Sequence, residues 1–244
     1  MNSNIQNAWP IAIIALLAIA APWIGVATAA ALLPHLLPNL QQYGLILAPA
    51  YITIASLLVG LALAPTHLTS LIAGYIFGLP FGLLSATATV AIGATIGFIA
   101  AKKLAQDQLR NLLNSHHWGR TLLEEMLDSS PKNALLTITL ARLPPQVPFA
   151  VGNLLSASIR APILPFIAGT ITGMFPRVAL VVLVGSQLAE WTPGAPIPSS
   201  LFWTVIATLI GLGALTLWGA SILHRKQKSL HPTTPSALPS QNPP

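Results

Sequence analysis

The sequence predicts an all-α polytopic membrane protein in which two inverted re-entrant helical hairpins accompany about four transmembrane helices. Composition is the first reason, because 54% of the 244 residues are hydrophobic and only 7% are charged, against roughly 25% charged residues in a soluble domain. Length is the second reason, because apolar stretches of the roughly 20 residues that cross a hydrocarbon core recur along the chain. The third reason is the position of several prolines, which interrupt two apolar regions before a helix could cross.

Residues 1–45 are predicted to form an N-terminal transmembrane helix and a linker. The helix lacks charged residues at its start and runs for roughly 25 apolar residues, so it is expected to be retained and not cleaved as a signal peptide. A core is predicted over residues 46–188, followed by a C-terminal transmembrane helix over 189–223 and a disordered cytoplasmic tail over 224–244. Within the core, we expect hairpins near 46–78 and 131–157 and spans near 83–101 and 160–188.

The second hairpin is predicted from the stretch "LARLPPQVPFAVGN", residues 140–153. A helix from Pro131 to Leu143 would be about 20 Å long, whereas the hydrocarbon core is about 30 Å thick, so the helix ends inside the membrane. Pro144, Pro145 and Pro148 then remove amide donors, and Pro148 can start a second half-helix. The sequence therefore predicts a helix broken in mid-membrane.

The distribution of basic residues favours a hairpin that turns back over one that crosses. If residues 131–157 turn back, Lys132, Arg160 and the basic cluster at 225–228 share one face of the membrane with Lys102 and Lys103. Cytoplasmic loops are enriched in lysine and arginine, so this arrangement is preferred. Both termini are then predicted to be cytoplasmic.

The two halves of the core have the same order of features. The segment "LAPTHLTSLIAG" (63–74), followed by "GATIG" (93–97), corresponds to "LPPQVPFAVGN" (143–153), followed by "GTITG" (169–173). Each half has a half-helix, a proline break, a second half-helix and a span with a Gly-x-x-x-Gly spacing. Oppositely oriented hairpins whose broken ends meet near the midplane are typical of transporters.

These same residues resemble a known family. The run "ARLPPQVPFAVGNLLSASI", followed by "FIAGTITGMFP" (166–176), and the earlier run "PTHLTSLIAGYIFGLPFG" (65–82) resemble the VTT-domain proteins, the DedA or SNARE-associated membrane protein family, in its VTT-type branch. The resemblance covers residues 45–190. It implies two inverted re-entrant hairpins and movement of phospholipid or a polyprenyl phosphate across or between leaflets, in a bacterial plasma membrane.

The sequence also departs from the family pattern. Pro65-Thr66-His67 stands where bacterial DedA members carry a Pro-Ser-Glu turn, and Pro148 stands where they carry a second arginine. Only Arg142 matches a family arginine directly. The acid-linked proton coupling that the resemblance implies for those members therefore has no matching acid in this turn.

Arg142 is the leading candidate for a functional residue. A charged side chain near the membrane midplane costs free energy, so an arginine there usually has a functional role. Its guanidinium could hold a lipid phosphate through two parallel hydrogen bonds. Alternatively, it could bond the last carbonyls of its own half-helix and stabilise the helix dipole. Asn153 could donate to the ligand or cap a helix, and the half-helix after Pro148 would add free amides.

Arg177 is predicted to lie in the outer half of the next span, as a second phosphate ligand or as a side chain reaching the headgroups. His67, at the other break, is a candidate proton carrier, with a structural hydrogen-bonded histidine as the alternative. The predicted phosphate site thus contains Arg142, Arg177, Asn153, Pro144, Pro145 and Pro148. Six glycines are predicted to pack helices closely: Gly74, Gly78, Gly93, Gly97, Gly169 and Gly173.

An enzyme is not predicted, because no aspartate or glutamate lies between Met1 and Lys103 or between Pro131 and Gln187, and acid–base or metal chemistry usually needs such groups. No catalytic residue, metal or cofactor is predicted. Nucleic-acid binding is not predicted either, because the net charge of +6 is spread over loops and a tail. The predicted function is lipid translocation, the predicted partners are membrane lipids, and a homo-oligomer is left open. The alternative is a membrane scaffold or regulator that transports nothing.

Overall fold

A computed structural model describes residues 39–104, 131–143, 148–191 and 196–230. All regular structure in these ranges is helical. A short 3-10 turn, Gly44–Leu47, precedes six helices, which are α1 Ala48–Gly60, α2 Thr66–Leu104, α3 Pro131–Arg142, α4 Phe149–Ser158, α5 Ile163–Glu190 and α6 Ser199–Leu230. Most of the predicted N-terminal span lies outside the described residues.

The first hairpin forms because α1 ends in a tight, hydrogen-bonded turn. The amide of Leu63 donates to the carbonyl of Leu58 at 2.7 Å and the amide of Ala62 donates to Val59 at 3.1 Å, with Ala62 left-handed at φ 61°. This pair of bonds is a Schellman motif, which satisfies the last carbonyls of the helix. The chain then turns and begins α2 at Thr66.

Helix α2 folds back on itself at Gly78. The backbone there has φ 70° and ψ −175°, and a Cβ placed on Gly82 would lie 2.8 Å from the carbonyl oxygen of Ala73. In a continuous helix those two residues would be about 13.5 Å apart along the axis. Two arms, residues 66–77 and 79–104, therefore run antiparallel. Pro80 lies in the first turn of the second arm, where its missing amide costs no hydrogen bond.

The prediction that Gly78 packs against a neighbouring helix is wrong. Nothing lies within 4 Å of a Cβ placed there, and the residue is needed for its positive φ. This backbone conformation is essentially confined to glycine.

We therefore expect Gly78→Ala to lower the free energy of unfolding by about 1–3 kcal/mol, the usual cost of holding a residue in a sparsely populated backbone region. Thermal unfolding in detergent would measure it. Gly213→Ala is the matched control, because Gly213 also has nothing within 4 Å but has no positive φ, and alanine favours a helix. Equal melting temperatures for the two variants would contradict the assignment of Gly78 as the turn residue.

The second arm of α2 runs antiparallel to α5. The rings of Phe98 and Phe166 lie 4.6 Å apart, and further along, Val90 and Met174 share a buried cluster. By length and composition, Thr66–Leu104 and Ile163–Glu190 are candidate membrane spans. Although α2 is folded at Gly78, its second arm is about 39 Å long at 1.5 Å per residue and still exceeds the hydrocarbon thickness.

The first hairpin opens towards the beginning of that second arm. Helix α1 runs parallel to the arm, because the Ser56 hydroxyl donates to the carbonyl of Thr89 at 3.4 Å and Gly60 lies against Gly93. On the other side of α1, the Tyr51 hydroxyl donates to the carbonyl of Thr69 in the first arm.

The second hairpin opens towards the opposite end. Helix α3 runs parallel to α5, because Gly169 lies against Ile138 and Gly173 lies against Thr139 and Arg142. The last residue of α3 therefore reaches about the middle of α5, whose first residue is Ile163. Residues 79–104 and α5 form a central pair. The hairpin of α3 and α4 enters from one end of this pair, and the hairpin of α1 and residues 66–77 enters from the opposite end.

Helix α6 packs against α5, with Gly211 close to the side chain of Leu180. It continues to Leu230, so the predicted start of the disordered tail at residue 224 is wrong. No glycine or proline interrupts residues 224–230, and lysine, arginine, glutamine and leucine are good helix formers. Residues 231–244 lie outside the described part of the chain.

Candidate functional site

Arg142, the last residue of α3, points into the protein and is only 4% exposed. Its Nη1 donates to the carbonyl of Phe149 at 3.1 Å, and its Nη2 donates to Oδ1 of Asn153 at 2.6 Å. The rings of Phe149 and Phe166 lie 5.3 and 5.7 Å from the guanidinium carbon. Arg142 therefore joins the two helices of the second hairpin. Its acceptors belong to α4, not to the last turn of its own helix.

Two glycines make room for this side chain. A Cβ on Gly152 would overlap Nη1 of Arg142, and a Cβ on Gly173 would lie 2.7 Å from its Cβ. Sequence reasoning identified Gly173 but missed Gly152. The signal that could have found it is its position directly before Asn153, one turn into a half-helix that must pass close to an arginine.

Asn153 is 1% exposed and connects Arg142 to the second arm of α2. Its Nδ2 has no hydrogen-bond partner among the described residues and lies against Gly97, where a Cβ would overlap it. The orientation of the amide follows from its neighbour, because the guanidinium of Arg142 can only donate and needs the oxygen. Asn153 therefore accepts from Arg142 and does not cap a helix.

Arg177 is half-buried in the middle of α5. None of the described residues accepts a hydrogen bond from its guanidinium. Gly173, one helical turn before it on the same face of α5, lies against Arg142, so Arg177 lies beside the end of the second hairpin. Pro176, directly before it, has no amide hydrogen and leaves the carbonyl of Thr172 without its usual helical donor.

The positive charge at this place is not neutralised by a carboxylate of the described residues. The only acidic residue among them is Glu190, at the end of α5 and about 20 Å along the helix from Arg177. We call Arg142 and Arg177 the cationic centre. Two arginines of like charge in a dry helical core attract an anion, because each is costly there without one.

The remaining predicted site residues have varied positions. His67 is exposed in the first turn of α2, and its role as a proton carrier stays a prediction. Pro148 is the N-cap residue of α4, while Pro144 and Pro145 lie outside the described residues. No group of metal-ligating side chains is present in the described ranges.

Five of the predicted glycines lie at close helix approaches. Gly74 meets the carbonyl of Val182, and reciprocally Gly185 meets the carbonyl of Leu71, so these two helices touch through their backbones. Such contacts are typical of small residues in membrane helices. The other approaches involve Gly93, Gly97, Gly169 and Gly173.

Fold and site together define a helical membrane protein in which two opposed hairpins enclose a cationic centre. The family model of the VTT domain matches residues 64–187, which is just over half of the chain. This protein belongs to the VTT-domain family, as the resemblance of the proline-rich segments predicted.

A curated relative is similar over the same region. The chain is 27% identical over 163 residues to the Golgi apparatus membrane protein TVP38 of Meyerozyma guilliermondii. The matched region is 66% of this chain and 45% of that protein. The chain therefore spans less than half the length of this relative. No solved structure matches. A membrane location is supported, whereas the bacterial plasma membrane and the cytoplasmic termini stay predictions.

Proposed function

We propose that this protein moves phosphate-bearing lipids between the leaflets of its membrane, with the headgroup held at the cationic centre. The observation that carries the proposal is that Arg142 packs against Gly173, one helical turn before Arg177, in a helical membrane protein whose only described carboxylate, Glu190, is far away. A phosphate is the anion that arginine recognises best, because its oxygens match the fork of guanidinium donors.

The two arginines have different tasks in this proposal. Arg177 has no hydrogen-bond acceptor among the described residues, so its donors are available to the phosphate. Arg142 already donates to Phe149 and Asn153. It attracts the phosphate by its charge alone and holds the two helices of the second hairpin together. His67 lies on the opposite wall, at the end of the first hairpin.

The hairpins give the headgroup a route from either side. They enter from opposite ends of the pair formed by residues 79–104 and α5, and their tips lie beside the middle of these helices. We infer that both hairpins are re-entrant in the membrane, as in transporters with inverted repeats. The headgroup would then cross only the short distance between the tips. The outward faces are apolar, with Leu84, Leu164 and Leu209 largely exposed, so acyl chains can stay in the bilayer.

The test is lipid exchange in liposomes that contain the purified full chain. Phosphatidylcholine vesicles with a trace of fluorescent phosphatidylglycerol are treated with a membrane-impermeant quencher, and the slow loss of inner-leaflet fluorescence gives the rate. We expect faster loss than in protein-free vesicles, and no acceleration for fluorescent glucosylceramide, which has no phosphate.

Equal acceleration of the glycolipid would show that phosphate is not recognised. If neither phosphatidylglycerol nor a labelled polyprenyl phosphate is accelerated, translocation is wrong and the scaffold alternative is favoured.

A further inference from the structure

A pocket of about 340 Å³ lies between the end of α2 and the turn that joins α4 to α5. Its lining residues are Phe98, Lys102, Arg160 and Ala161. Pockets that bind small molecules start at about 300 Å³, so a phosphate group with part of a glycerol fits. We call it the interfacial pocket.

The interfacial pocket is separate from Arg177, whereas Arg142 lies closer, with its guanidinium carbon 5.7 Å from the ring of Phe166. Phe98 packs on Phe166, and Phe166 precedes Arg177 by about 16 Å along α5. The pocket lies at the end of the helix pair where the second hairpin opens. That end also carries Lys103 and Lys132, which the charge distribution assigns to the cytoplasmic face.

The charge of this pocket selects an anion. Both of its charged lining side chains, Lys102 and Arg160, are basic, and no carboxylate of the described residues lies near it, because Glu190 is at the other end of α5. Helix α5 begins two residues after Ala161, and its N-cap residue, Pro162, makes no side-chain capping bond. The uncapped end of a long helix adds positive potential beside the pocket.

The backbone holds Arg160 in a defined position at the pocket. Its amide donates to the carbonyl of Ala157 at 3.0 Å, and the amide of Ala161 donates to Ser156 at 3.0 Å. Arg160 itself is left-handed, with φ 54°. This is a second Schellman motif, in the place that glycine usually occupies. An arginine here gives up some stability, and a functional side chain is one reason for such a residue.

The surroundings of the pocket favour a lipid over a soluble anion. Leu164 is 76% exposed and follows the lining residue Ala161 by three residues, at the start of α5. An apolar rim beside a basic pocket at the membrane surface is suited to a molecule with a charged head and an apolar tail. Basic residues at the cytoplasmic face attract acidic lipids by about 1 kcal/mol each.

We propose that the interfacial pocket binds the phosphate headgroup of an acidic phospholipid, with Lys102 and Arg160 as its ligands and the acyl chains beside the exposed side chain of Leu164. This site is additional to the one in the proposed function and does not depend on translocation. It would keep acidic lipid at the open end of the second hairpin.

The test measures binding of short-chain phosphatidylglycerol, phosphatidylcholine and inorganic phosphate to the full chain in detergent, by native mass spectrometry. All variants carry Arg177→Ala, which removes the guanidinium of the cationic centre whose donors are available to a phosphate, while Arg142 keeps its bonds to Phe149 and Asn153. We expect saturable binding of phosphatidylglycerol and at least tenfold weaker binding of the other two. Lys102→Ala and Arg160→Gly should each weaken binding of phosphatidylglycerol at least fivefold.

Arg160→Gly places glycine at a left-handed position that suits it, and a thermal scan of the same variant separates a loss of binding from a loss of folding. The matched control is Ala62→Gly, the same position of the first Schellman motif, which has φ 61° and should leave lipid binding unchanged. The proposal is overturned if both pocket variants bind phosphatidylglycerol like their parent. Equal binding of phosphatidylcholine would overturn it as well, and equal binding of inorganic phosphate would overturn the assignment to a lipid.

Discussion

Replacing Arg177 with alanine is expected to slow the exchange of fluorescent phosphatidylglycerol between leaflets by about ten- to a hundredfold. Hydrogen bonds to a charged group contribute about 1.5–3 kcal/mol, and about 1.4 kcal/mol corresponds to a factor of ten. The melting temperature should stay within about 2 °C, because a side chain that bonds no described residue costs little to remove. The quencher assay and a thermal scan of the same preparation measure both quantities.

Two further variants define what Arg177 does. Arg177→Lys keeps the charge but loses the paired donors, so its rate should lie between those of the parent and the alanine variant. Lys103→Ala removes an exposed charge outside the cationic centre and should leave the rate unchanged. Parental exchange by Arg177→Ala would show that the phosphate is not held at Arg177.

Arg142→Ala is expected to act mainly on stability, whereas Arg177→Ala is expected to act mainly on lipid exchange. The change leaves the carbonyl of Phe149 and Oδ1 of Asn153 buried without a donor, and each such loss costs about 1–3 kcal/mol. It also leaves a cavity beside Gly152 and Gly173. We expect a total of about 3–5 kcal/mol, which in a chain of this size lowers the melting temperature by roughly 6–20 °C.

The control for Arg142 is Leu136→Ala on the same helix, whose side chain is 53% exposed and should change the melting temperature by a few degrees at most. Thermal unfolding in one detergent compares the two. If Arg142→Ala keeps its melting temperature and loses only lipid exchange, then Arg142 is a phosphate ligand and not a link between α3 and α4.

The helix breaks could be predicted from the sequence because they follow from length and proline chemistry. A helix that begins at Pro131 and meets "PPQVP" is too short to cross, and the structure ends α3 at Arg142. The break near residue 78 was equally visible in "GLPFG". The role of Gly78 was not, since Gly-x-x-x-Gly spacing suggests packing, and only the backbone angle shows that the chain reverses there.

The partners of Arg142 were beyond sequence reasoning. They lie 7 and 11 residues further along the chain, on the far side of a turn. Helical and strand periodicity predict contacts within one element but not contacts across such a turn. Arg142 could therefore be chosen and phosphate binding favoured, but internal hydrogen bonding stayed an open alternative. Gly152 was missed for the same reason, because its neighbour in space is fixed by that turn. The basic run 225–228 lies in the last turns of α6 but was predicted as part of a disordered tail, because prolines, serines and threonines are frequent in the sequence that follows it.

The reciprocal contact of Gly74 and Gly185 has a mechanical consequence. Where helices meet through interleaved side chains, the ridges of one fit the grooves of the other and resist a change of angle. Here each backbone rests on a bare glycine of its neighbour, so little steric obstruction opposes rotation about the point of contact. We expect α5 to rotate about this contact. The rotation would carry Arg177 sideways while the contact itself stays fixed.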